Sequence, residues 1–245
     1  MKEKKGIYIL PNLLTTANLF VGFYAIIAAI NGDWKRSAIA IIIAAFLDGL
    51  DGRMARLTGT VTHFGVEYDS LADLVAFGLA PAILCFTFSL NLLGRWGWLA
   101  AFLYLACGTL RLARFNIQVN KAELRYFIGL PIPVAACILA LSVLNIREWQ
   151  VSKEFGSFFL LILTYFLSFF MISTFHYRSF KDLEWTKLKP FRISILAVFG
   201  LVIIMSHPSL VLWLLLLAYM VSGPIIYTRY FSKRKAWIKK ESRVK

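Results

Sequence analysis

An all-α, polytopic membrane protein of about eight transmembrane helices is the fold class this sequence predicts, on three observations. Of its 245 residues, 59% are hydrophobic, and the mean hydropathy is +0.69; a soluble domain has neither property. The apolar residues fall into runs close to the ~20 residues that cross a bilayer. The Lys and Arg residues collect on alternate connections between those runs, as the positive-inside rule requires.

Eight runs of spanning or near-spanning length cover 8–30, 37–54, 66–93, 96–112, 128–144, 155–174, 193–205 and 209–227. The seventh is the shortest. The first begins like a signal peptide, Met1-Lys2-Glu3-Lys4-Lys5, but is longer than a signal's apolar region. It ends in Asn31-Gly32-Asp33 with no small-x-small cleavage site, so it is expected to stay in the protein. With the N-terminus inside, Lys35, Arg36, Arg95, Arg147 and Lys153 are left outside, and 22 of the 27 basic residues lie on the cytoplasmic face. Both termini of this integral membrane protein are therefore expected in the cytoplasm, with an even number of spans. Residues 228–245 form a basic tail suited to anionic lipid headgroups. That placement explains the net charge of +14 without a nucleic-acid partner. No internal repeat or linker divides the chain, so residues 1–245 are expected to form one domain. Cys85, Cys107 and Cys137 lie in apolar runs without metal-ligand spacing and count as small hydrophobes.

Four aspartates interrupt these runs: Asp48 and Asp51 in the second, Asp69 and Asp73 in the third. A carboxylate at membrane depth costs roughly 2.5–3.5 kcal/mol, so four together call for something cationic to gather them. The i, i+3 and i, i+4 spacings put each pair on one face of its helix. Two helices presenting such pairs make an all-oxygen cage for a hard divalent cation, Mg²⁺, Mn²⁺ or Ca²⁺. Polar contacts between helices without a metal would leave the acids short of basic partners. Lone His63, His176 and His207 have no Cys or His companions and are not expected as ligands.

The segment Asp48-Gly49-Leu50-Asp51-Gly52-Arg53-Met54-Ala55-Arg56 is followed, eight residues later, by Gly65-Val66-Glu67-Tyr68-Asp69-Ser70-Leu71-Ala72-Asp73. This pattern, D-x-x-D-G-x-x-A-R then G-x-x-x-D-x-x-x-D, resembles the signature of the CDP-alcohol phosphotransferase family at all eight fixed positions. The resemblance implies two divalent cations held by Asp48, Asp51, Asp69 and Asp73, with Asp73 also the general base. It implies that Gly52 and Arg56 contact CDP, as does Thr62 in the intervening loop. The residues agree with this on physical grounds. Gly52 lacks a Cβ and admits a close ligand; Ala55 keeps the next turn shallow; Arg56 offers a bidentate fork to phosphate. Gly65 completes the CDP-diacylglycerol set. Glu67 lies off the Asp69/Asp73 face and reads as a solvated interface residue. Asn12 and Thr15 open the first span and have two readings: helix capping and back-bonding, or, by the family's N-x-x-T element, approach to the CDP-lipid.

Further stretches resemble the branch of the family that takes L-serine as acceptor, over residues 8–185. They are Phe77-Gly78-Leu79-Ala80-Pro81, Arg111-Leu112-Ala113-Arg114-Phe115-Asn116, Gly129-Leu130-Pro131-Ile132-Pro133 and His176-Tyr177-Arg178. The Pro131/Pro133 pair either shapes a pocket or merely breaks a helix. A serine carboxylate needs a cation, and Arg111 and Arg114, with Asn116 beyond them, are the candidates. They are equally placed as positive-inside anchors. Glycerol 3-phosphate or inositol phosphate are the alternative acceptors, and a divalent-cation transporter is the alternative of another class. A homodimer is expected from the resemblance alone. The last two spans carry no motif.

Overall fold

The structure, a computed structural model, describes residues 9–58, 62–119, 126–178 and 206–241. Its elements are α1 (Ile9–Ile30), α2 (Trp34–Thr58), α3 (His63–Asp73), a π-helical turn (Leu74–Leu79) and α4 (Ala80–Phe88). A 3₁₀ turn (Leu90–Leu93), α5 (Arg95–Val119), β1 (Tyr126–Ile128), α6 (Ile132–Glu148), α7 (Lys153–Ile172), β2 (His176–Arg178) and α8 (Pro208–Glu241) follow. The expected helical membrane fold is present. Among the described residues, five helical stretches are long and apolar enough to cross a bilayer: Asn12–Ile30, His63–Phe88, Arg95–Ile117, Lys153–Ile172 and Pro208–Ile225. α2 falls outside that set because charges crowd both its ends, and α6 because it has only 17 residues. The expected span at 193–205 lies outside the described residues, so the count of eight rests on the sequence.

Several boundaries differ from the sequence reading. α2 continues past 54 to Thr58, so Ala55 and Arg56 are helical. α5 runs seven residues beyond the expected end at 112, to Val119, which places Arg111, Arg114 and Asn116 on one continuous helix. The fifth span starts later than 128, because residues 126–128 pair with 176–178 in a two-stranded antiparallel ribbon. The helices therefore have a small β ribbon at one end, which hydropathy did not signal. α8 continues through the basic segment from 228 as far as Glu241.

Small side chains set the helix spacing. Ala25, Ala29, Ala38, Ala44, Ala76 and Ala80 are fully buried where α1, α2 and the α3–α4 stretch meet, as close membrane packing favours. A Cβ on Gly22 of α1 would stand 2.7 Å from the Ala76 Cα, so that contact admits only glycine. Outward-facing Phe20, Phe23, Phe46, Phe102, Phe158, Phe166 and Phe169 form the apolar exterior, the arrangement of a protein solvated by lipid tails.

The π turn has a local cause. Pro81 has no N–H, so the Phe77 carbonyl four residues earlier loses its helical donor, and the proline ring crowds that carbonyl. The ladder widens there, and the Ala80 N–H reaches back five residues to the Val75 carbonyl. Tyr104 of α5, fully buried, donates its hydroxyl to the stranded Phe77 carbonyl at 3.0 Å. The turn begins directly after Asp73 and fastens the acidic helix to α5.

Entry to α6 is equally specific. Gly129 takes φ +82, and a Cβ there would run into the Met171 carbonyl. Pro131 caps α6 at its N-terminus and Pro133 sits in its first turn, where a missing N–H costs nothing. The proline pair thus starts a helix instead of breaking one. Tyr177 of β2 is buried and donates to the Met220 carbonyl of α8 at 3.1 Å, with Gly223 leaving room for its ring.

Tyr104→Phe removes the donor from a buried carbonyl and is expected to destabilise the protein by about 1–3 kcal/mol. Pro81→Ala restores an N–H to the same carbonyl, so the Tyr104→Phe penalty should shrink in that background. Thermal unfolding in detergent of the two single variants and the double variant measures this. Equal penalties in both backgrounds would contradict the account of the π turn.

Candidate metal centre and active site

The site lies at the end of the helices where α1 and α3 begin and α2, α5 and α7 finish. Asn12 of α1 faces Gly65 of α3: a Cβ on Gly65 would stand 3.6 Å from Asn12 Oδ1 and 3.0 Å from Thr62 Oγ1. Arg114 of α5 donates to the Ile172 carbonyl of α7 at 3.1 Å. Asn116 of α5 donates to Ser70 Oγ at 3.0 Å and to Glu67 Oε2 at 3.4 Å on α3. Four chain segments, α1, α3, α5 and α7, are brought together there by side chains.

Asp48, Asp51 and Asp69 offer carboxylate oxygens that all lie within 4.8 Å of one another. Two oxygens across a cation, each at 2.1–2.4 Å, stand about 4.2–4.8 Å apart, so the group has the dimensions of one divalent ion's oxygen ligands. Asp51 is 3% exposed. Asp69 Oδ1 is buried and has no hydrogen-bond partner among the described residues, a condition a cation would relieve. The residues present therefore fit a hard divalent cation. Asp73, one turn after Asp69, is buried beside this group and accepts a hydrogen bond from Asn18 Nδ2 at 3.3 Å.

α1 supplies further donors. Thr15, buried, donates to Asp51 Oδ2 at 3.3 Å. Its neighbour Thr16 donates Oγ1 to the Asn12 carbonyl at 2.7 Å and meets the Tyr68 hydroxyl at 3.0 Å. Thr62 is the N-cap of α3 and accepts from the Gly65 N–H at 3.0 Å, which explains why the helix starts there. Gly52 is half-buried on α2 between the acids and the helix end. Ala55 and Arg56 occupy the last turns of α2, with side chains outside the described residues.

The two candidate arginines separate. Arg111 is 9% exposed, its Nε has no hydrogen-bond partner among the described residues, and its guanidinium lies over the Phe115 ring at 5.8 Å. It is within electrostatic reach of Asp73 and Asp48. Arg114 holds the end of α7. Both line a cavity of about 390 Å³ with Leu110, Ala113, Ile117 and Ile172. Asn116, with its Ser70 and Glu67 partners, ties α5 to α3. Glu67 is exposed, as expected, and His63 and His207 are exposed and stand apart from the acidic group.

Two residues escaped the sequence reading. Asn18 is fully buried; the signal for it was a polar side chain inside an apolar run, one turn after Thr15. Tyr219 of α8, within electrostatic reach of Arg111 and 5.5 Å from the Tyr177 ring, brings the last helix to the site. Nothing in its local sequence marked it.

The family model described as CDP-alcohol phosphatidyltransferase matches residues 8–173. The chain belongs to that family. Among its relatives is a CDP-diacylglycerol–serine O-phosphatidyltransferase of Helicobacter pylori, 35% identical over 224 residues, 89% of this chain and 91% of the relative. A Bacillus subtilis protein of the same name is 36% identical over 172 residues, 70% of this chain and 91% of the relative. The archaetidylserine synthase of Methanothermobacter thermautotrophicus is 38% identical over 145 residues, 57% of this chain and 60% of the relative. This member of the family is an integral membrane protein, and its acidic group sits within the matched segment. α8 and its Tyr219 lie outside that segment.

Replacing Asp48, Asp51 or Asp69 by Asn removes one charge from the group. Each variant is expected to weaken Mn²⁺ binding on the order of tenfold or more while remaining monodisperse in detergent. Titration followed by the electron paramagnetic resonance of free Mn²⁺ measures it. Wild-type binding in all three variants would show that the ion is held elsewhere.

Proposed function

We propose that the chain transfers the phosphatidyl group of CDP-diacylglycerol to L-serine, releasing phosphatidylserine and CMP. The observation that carries this reading is the buried Arg111 beside the aspartates, in a chain whose relatives of that name match most of its length. Serine brings one carboxylate, which one guanidinium satisfies. Glycerol 3-phosphate or inositol phosphate would bring a dianionic group and call for several cations. Among the described side chains Arg111 is the buried one at the acids; Arg114 is occupied with Ile172. A cation transporter would leave the CDP signature without a purpose, and the acids lie at one end of the helices instead of midway.

In this reading Asp48, Asp51, Asp69 and Asp73 hold two divalent cations, Mg²⁺ or Mn²⁺. When bound, these neutralise the diphosphate of CDP-diacylglycerol and favour departure of CMP. Asn12, Thr15, Gly52, Ala55, Arg56, Thr62 and Gly65 make up the wall for the nucleotide. Thr15, which donates to Asp51, and Thr62, which accepts from the Gly65 N–H, act in it by fixing Asp51 and the start of α3. The serine hydroxyl attacks the phosphorus that bears diacylglycerol and forms a new P–O bond. The bond from that phosphorus to the CMP phosphate oxygen breaks. Asp73 accepts the hydroxyl proton. Arg111 orients the serine carboxylate, and the apolar residues around it keep water from competing as acceptor.

The chain works as a single domain in a cellular membrane, with the site on the cytoplasmic face that carries 22 of the 27 basic residues. As in the sequence reading, it acts as a homodimer.

CMP release by purified protein with CDP-diacylglycerol and Mn²⁺ should depend on serine and not on glycerol 3-phosphate or inositol phosphate. Arg111→Ala should raise the serine KM about ten- to a hundredfold, the worth of a charge-assisted hydrogen bond, and leave the CDP-diacylglycerol KM nearly unchanged. Release driven by a phosphorylated acceptor, or an unaltered serine KM, would overturn the assignment.

A further inference from the structure

We infer that Asn18 is a positioning residue for the reaction: its amide holds the Asp73 carboxylate in the orientation that receives the acceptor's proton. This rests on the reading of Asp73 as base. Asn18 stands inside the first half of α1; beyond it the helix from Leu19 to Ile30 carries no charged or amide side chain. It is fully buried. A polar side chain at that depth is costly to keep unless it has a task. Its Nδ2 donates to Asp73 Oδ1 at 3.3 Å.

The other end of the amide sharpens the assignment. Asn18 Oδ1 is buried with no hydrogen-bond partner among the described residues. The side chain is therefore not serving a packing network that uses both its ends. Among the described residues its hydrogen bond runs to Asp73. Turned over, the amide would set a carbonyl oxygen against a carboxylate oxygen, so the charge on Asp73 selects the donating face.

The same face of α1 does this twice. Thr15, one turn earlier, donates to Asp51 of α2, and Asn18 donates to Asp73 of α3. Asp73 is the last residue of α3 before the π turn, where the backbone ladder changes register. A carboxylate at such a junction gains from a fixed donor on a neighbouring helix. Gly22, one turn beyond Asn18, brings α1 against Ala76 of the π turn and sets the reach of the amide. Asn18 itself has no exposed surface and does not touch substrate; it acts through Asp73.

The test compares Asn18→Leu, which keeps the size and removes the donor, Asn18→Asp, which keeps the shape and opposes two carboxylates, and Asn18→Gln, which keeps the donor. Active-site concentration is normalised by binding of CDP-diacylglycerol, so unfolded protein does not enter the rate. The Leu and Asp variants are expected to lose about ten- to a hundredfold in kcat with the CDP-diacylglycerol KM within about threefold of wild type. Gln should recover part of the loss. A kcat for Asn18→Leu within about twofold of wild type would overturn the inference, as would a loss in Gln equal to that in Leu. Asp73→Asn is run alongside: if it retains full turnover, the assignment of Asp73 as base fails, whatever the Asn18 variants do.

Discussion

A carboxylate sunk to the depth of a membrane must be gathered with others around positive charge or lie where the bilayer ends. Asp48, Asp51, Asp69 and Asp73 are gathered toward one end of the helices, and much of the fold follows from holding them there. α2 and α3 carry the acids. α1 lies against both and donates from Thr15 and Asn18, while α5 brings Arg111 to the same place. Closeness of this kind needs narrow helices, and alanine and glycine fill the interface between α1, α2 and the helix that follows Asp73.

The π turn connects that demand to the rest of the molecule. Asp73 ends α3 within the acidic group, and the next residues must continue as a membrane helix packed against α5. Pro81 deprives Phe77 of its donor, the ladder widens, and Tyr104 satisfies the carbonyl from α5. One proline and one tyrosine thereby join the acidic half of the helix to its apolar half. At the same end, the ribbon of β1 and β2 seats Tyr177 under α8, and α8 presents Tyr219 toward Arg111.

The helices and the acidic group were legible in the sequence because both follow from local pattern. Apolar length gives the spans, and the i, i+3 and i, i+4 spacing gives each acidic face. What stayed hidden depends on contacts between distant segments. Pairing of 126–128 with 176–178 joins residues that no local period relates. Thr62 and Gly65, assigned to the nucleotide by resemblance, also cap α3, a bond that depends on the backbone path before His63. Arg111 and Arg114 share one spacing and one membrane level, yet one is buried toward the aspartates and the other holds the end of α7. Asn18 was visible as a lone polar residue but gained meaning only when α1 was laid against α3. The segment at 193–205 stays an expectation from hydropathy.

The central claim is that the gathered carboxylates hold a divalent cation against the diphosphate of a CDP-lipid. Electron–nuclear double resonance on Mn²⁺ bound to the protein tests it most directly. Addition of CDP-diacylglycerol should produce a ³¹P hyperfine coupling at the Mn²⁺, and Asp69→Asn should abolish it at the same metal concentration. Bound Mn²⁺ with no ³¹P coupling in the presence of saturating CDP-diacylglycerol would contradict the account.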